Sequence, residues 1–117
     1  MLEDKAKELG RLIGQSTEYS TMKRSTDALN EDTEAATLLR QMETVRARAQ
    51  MMIERGEQPA AEMEGELDTM LAQIQSNANY QRAVSAQENF DKMMMRVNTW
   101  IAEGIRKGSS SPIITLG

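Results

Sequence analysis

Between residues 84 and 105 the side chains of Val84, Gln87, Phe90, Met94, Val97, Ile101 and Ile105 recur at intervals of three and four. That spacing follows one side of an α-helix, which turns every 3.6 residues. It cannot line one face of a strand, where side chains alternate with period two. The pattern predicts a helix from about Tyr80 to Lys107, stopped by Gly108. At about 1.5 Å per residue its roughly 28 residues make a rod of about 42 Å. A rod of that length must be covered by other helices of its own chain or by another chain.

The same spacing occurs upstream. Leu2, Ala6, Leu9 and Ile13 line a first helix. Ser16 or Thr17 can cap a second, with Tyr19, Met22, Thr26 and Leu29 on one side, and one bent helix fits these residues as well as two do. Asp32 caps a third, with Glu34 in the first turn and Ala35, Leu38, Met42, Val45, Ala49 and Met52 on its apolar face. Gly56 ends it, and Pro59 opens the next element. Met63, Leu67, Met70, Leu71 and Ile74 line a fourth helix, which the turn-forming residues 76–79 interrupt. Aromatic residues make up 3% of the chain and Met contributes 10 positions, a poor composition for strands. The fold expected is all-α: an antiparallel helical bundle or hairpin of long helices with coiled-coil-like packing, dimeric in solution.

The 117 residues fit one domain. Residues 1–108 form the expected helical domain and residues 109–117 a flexible C-terminal tail, opened by Ser109, Ser110, Ser111 and Pro112. Ile113, Ile114 and Leu116 in that tail admit two readings. They are incidental apolar residues of a disordered end, or they are anchors of a short docking peptide.

The chain has no Cys and no His. It therefore lacks the commonest general acid–base group, the thiol nucleophile and the usual transition-metal ligands. Without a His partner the carboxylates do not make the Glu-x-x-His di-metal pattern of helical bundles. Ser109, Ser110 and Ser111 have no base to activate them. The expectation is a protein with no enzyme activity, no metal and no cofactor. The net charge of −4 argues against broad phosphate-backbone binding, so direct nucleic-acid binding is not expected. No stretch approaches the roughly 20 apolar residues that cross a bilayer, and the charged N-terminus is no signal peptide. These features place the chain in the cytoplasm, away from membranes.

What remains is surface. Arg40, Arg46, Arg48 and Arg55 on the third helix are expected to face Glu62, Glu64, Glu66 and Asp68 on the fourth. That pairing accounts for the arginines more simply than a nucleic-acid-binding stripe does. Met93, Met94 and Met95 are consecutive, and at about 100° each they cover roughly 200° of a helix, more than one seam can bury. Trp100 beside Ile101, and Met51 and Met52 beside Ile53, extend the problem. Burial against another chain resolves it, and Met suits adaptable binding surfaces. The interface residues expected are Met51, Met52, Phe90, Met93, Met94, Val97, Trp100 and Ile101. Gln87 sits at a seam or at its edge. Ala6, Gly10 and Gly14 mark a close helix approach.

Taken in order, Leu9-Gly10-x-x-Ile13-x-x-Ser16-x-Glu18-Tyr19, Asp32-x-Glu34-Ala35, Gly56, Asn77-x-x-Tyr80 and Phe90 resemble the YlbF/YmcA family of small bacterial regulators over residues 2–107. The resemblance implies an all-helical fold that tends to dimerise and a regulatory role without enzyme activity. It links the chain to competence, biofilm and sporulation control, and to complexes that include an RNA-processing endonuclease. Some members carry cysteines tied to iron–sulfur clusters. This chain has no Cys, so that cofactor does not carry over. The function expected is a cytoplasmic homodimeric regulator or adaptor that binds protein partners through helices. The alternatives are a structural or chaperone-like coiled-coil module, and a weak nucleic-acid binder using the third-helix arginines.

Overall fold

A computed structural model describes residues 1–110, which form five α-helices and no strand. They are α1 (Leu2–Gly14), α2 (Thr17–Glu31), α3 (Thr33–Glu54), α4 (Ala61–Gln75) and α5 (Ala78–Ser109). The all-α expectation holds.

The joints between helices are set locally. The Ser16 hydroxyl donates to the Ile13 carbonyl at 2.6 Å and accepts the Tyr19 N–H at 3.1 Å. It thus closes α1 and opens α2, and Ser16 itself is extended (φ −69°, ψ 152°). The first two segments are therefore separate helices. Asp32 caps α3 by accepting the Ala35 N–H at 3.0 Å. Gly56, at φ +80°, ends α3 in a Schellman arrangement. There the Glu57 N–H reaches the Met52 carbonyl at 2.8 Å and the Gly56 N–H reaches Ile53 at 3.0 Å. Pro59 lies two residues ahead of α4, not at its first turn. Ala60 offers that helix no side-chain cap, and Glu62 and Glu64 in its first turn complement the positive end of the dipole. Asn77 caps α5 by accepting the Tyr80 N–H at 2.9 Å, which starts the helix earlier than periodicity indicates. At the other end α5 runs through Gly108 to Ser109. Gly108 does not take the positive φ with which a glycine ends a helix. The helical part therefore passes the expected boundary at residue 108.

Within the fold α3 packs on α4, and α2 packs on α5. Ala35, Met42 and Ile74 form the buried centre of the first pair, with Leu29, Leu38, Leu39, Leu67, Met70 and Tyr80 around them. Tyr19 of α2 meets Phe90 of α5 with ring centroids 5.8 Å apart and planes tilted by 60°, a favourable aromatic geometry. One carboxylate joins the two corners of the molecule. The free oxygen of Asp32 accepts from Asn77 Nδ2 at 3.1 Å and from Asn79 Nδ2 at 2.9 Å. The caps of α3 and α5, 45 positions apart in sequence, thereby share a hydrogen bond. These bonds, the Ala35 N–H foremost, hold the Asp32 carboxyl below the usual carboxylate range.

Candidate interaction surfaces

The charge pairing expected between α3 and α4 does not form. Among the described residues no arginine of α3 comes within 4.0 Å of a carboxylate on α4. Arg40 and Arg48 share an open groove with Glu66 and Met70; both are exposed, and Arg40 Nε donates to the Ala36 carbonyl of its own helix at 3.4 Å. Exposed pairs gain about 1 kcal/mol at most, too little to hold two long side chains together. The ion pair that links two helices among the described residues is Arg96 with Glu18, at 4.0 Å.

The methionine run divides by side. Met93 and Met94 are half-buried, and Met95 is 69% exposed. Phe90 is half-buried against Tyr19, and Val97 is 6% exposed. The own chain thus covers Val97 and much of Phe90, Met93 and Met94, residues expected to meet a partner. α2 packs on α5, with Tyr19 against Phe90 and Glu18 beside Arg96. Gln87 is exposed and donates to Asp91 at 3.0 Å, so it sits at the edge of the seam.

Trp100 is 59% exposed, and Ile101 is exposed as well. Trp100 and Met95 border a shallow recess of about 380 Å³ with Lys92, Arg96 and Thr99. On α3, Met51 is 51% exposed beside exposed Ile53, while Met52 is half-buried. Two apolar surfaces result, one at the end of α3 and one at the far end of α5. Further exposed apolar residues, on α5 and on α1, were left out by sequence reasoning. Ile105 of α5 is 66% exposed, Leu2 of α1 is 85% exposed, and Leu12 is exposed too. Helix lengths carry the missing signal: α5 has 32 residues and α2, the helix on it, has 15. Ile113, Ile114 and Leu116 lie outside the described residues.

Fold and surfaces together define an all-α protein whose uncovered apolar side chains lie along helix faces. No helix among the described residues is long and apolar enough to cross a membrane. The chain belongs to the family described as control of competence regulator ComK, YlbF/YmcA, whose sequence model matches residues 2–106. It is 22% identical over 102 residues to a UPF0342 protein of Leuconostoc citreum, covering 87% of this chain and 86% of that one. It is 20% identical over 107 residues to a UPF0342 protein of Leuconostoc mesenteroides, covering 92% of each.

Proposed function

We propose that this chain is a non-enzymatic cytoplasmic regulator that binds other proteins, as a homodimer, in the control of competence that describes its family. The observation that carries the reading is the pair of uncovered apolar surfaces. Exposed apolar area of this kind marks protein contact. The surface at Met51 and Ile53 is the one we assign to a heterologous protein partner. Family resemblance points to a complex with an RNA-processing endonuclease, and to biofilm and sporulation control as related outputs. Ile113, Ile114 and Leu116 would add a second, peptide-like anchor for that partner.

Deleting the gene in the source bacterium should change the output of a reporter for competence genes, and restoring the parent chain should reverse the change. The tagged parent should retain the endonuclease complex from native lysate, and the double substitution Met51→Asp, Ile53→Asp should release it with helix content intact. A reporter indifferent to the deletion would reject the regulatory role. Equal retention by parent and variant would remove the partner from this surface.

A further inference from the structure

We infer that α1 of one copy packs antiparallel on the last dozen residues of α5 in a second copy, and that the contact is reciprocal. This rests on the homodimeric reading above and says which surfaces make the dimer.

Two helical segments of the chain are thinly covered, α1 only at Leu9 and Ile13. α1 buries none of its 13 residues. α5 outruns α2, and beyond Val97 its residues are all exposed, through Trp100, Ile101 and Ile105 to Ser109. The two segments match in length, about 20 Å for α1 and about 18 Å for residues 98–109.

Their apolar stripes also match in register. On α1 the stripe is Leu2, Ala6, Leu9 and Ile13, with steps of four, three and four. On α5, read backwards, it is Gly108, Gly104, Ile101 and Val97, with the same steps. Antiparallel alignment sets Leu9 by Ile101, Ala6 by Gly104 and Leu2 by Gly108, and it ends at Val97, which its own chain already covers. Small residues at Ala6, Gly104 and Gly108 allow the helices to approach closely towards the ends. Added volume would meet nothing at Gly104 or Gly108 in the single chain, so that room is free. Leu12 precedes Ile13 and Trp100 precedes Ile101, and antiparallel pairing puts residues so placed on the same side of the seam. Both are exposed in the single chain, and each would cover the other.

A second copy is the occupant because the chain's own α1 leaves Ile101 and the residues beyond it bare. The Ser16 joint parts α1 from α2, and Leu2 and Ile105 stay open to solvent. Two copies supply each segment twice, which closes the assembly with two-fold symmetry. With roughly 100 Å² from each large apolar side chain, the two contacts cover on the order of 1,200 Å², at the lower end of stable interfaces.

The absence of cysteine makes the test direct. Leu9→Cys in an untagged chain and Ile101→Cys in a tagged chain, mixed and oxidised, should give the mixed disulfide in excess over either homodisulfide. The double variant Leu9→Cys, Ile101→Cys should give a covalent dimer. A single-chain crosslinked species from the double variant would mean that α1 closes on its own α5 and would overturn the inference. Ile101→Asp should weaken the dimer at least about tenfold in sedimentation equilibrium, with circular dichroism unchanged. Parent protein that sediments at the mass of one chain would reject the dimer itself. Parent protein that sediments as a dimer, with no preferred crosslink between residues 9 and 101, would reject only this pairing.

Discussion

Ile74 has no accessible surface and sits against Ala35 and Met42 at the centre of the α3–α4 contact. Cutting it to Ala leaves a cavity in a small core, so Ile74→Ala should cost about 3 kcal/mol in chemical denaturation. A loss below about 1 kcal/mol would mean that the helices collapse around the gap. Asp32 acts differently, through charge. Its carboxylate accepts from the Ala35 N–H, Asn79 and Asn77, which holds its folded-state pKa below the usual range. The unfolded chain therefore takes up the proton first as pH falls. The stabilisation is complete above the ordinary carboxylate range and is lost as pH drops through it and on through the lowered folded value. Asp32→Asn keeps a capping oxygen and removes the titration. Between about pH 5 and about pH 2 the melting temperature of Asp32→Asn should fall less steeply than that of the parent. Parallel slopes would assign the acid sensitivity to other carboxylates.

Glycine shows how one residue type plays opposite parts in different elements. Gly56 ends α3 at φ +80°, where a Cβ crowds the backbone. Gly56→Ala should destabilise by about 1 kcal/mol. Gly65 lies inside α4 with open space where a Cβ would stand, so Gly65→Ala should stabilise by about 0.5–1 kcal/mol. Urea denaturation of the two variants should move the midpoint in opposite directions. The methionines of α5 divide in the same way. Met94→Asp puts a carboxylate into a half-covered site and should cost about 2 kcal/mol, whereas Met95→Asp, on the open side, should stay within about 0.5 kcal/mol of the parent. Similar losses from both would mean that Met95 is covered in solution.

At the scale of the whole fold the described residues measure 67 × 37 × 19 Å with a radius of gyration of 21.6 Å. A compact domain of this length would have about 13 Å. The extension explains the thin core: an elongated chain leaves much of each helix in solvent, and its buried apolar residues are mostly Ala, Val and Met. X-ray scattering from the monomeric Ile101→Asp variant should return a radius near 21.6 Å. A value near that of a compact domain would show that α1 folds back when the second copy is removed.

The helices and most of their ends were legible in the residues because the forces that set them are local. Ser16, Asp32 and Asn77 cap through bonds that span three residues, and Gly56 answers to its own φ. The three-and-four spacing likewise reports a face that has to be covered. It does not report what covers it. Phe90 became half-buried because Tyr19 of α2 reaches it, and Trp100 and Ile105 stayed open because α2 is much shorter than α5. The arginines of α3 and the acids of α4 carry opposite signs on neighbouring helices, yet water outcompetes the weak attraction of exposed charges. Asp32 reads as a cap from the sequence, and Asn77 only as a turn residue. Only the path of the chain between them brings the two caps within 3.1 Å. Local geometry decides where a helix starts and stops, whereas the lengths and directions of several helices together decide which of its faces remain exposed.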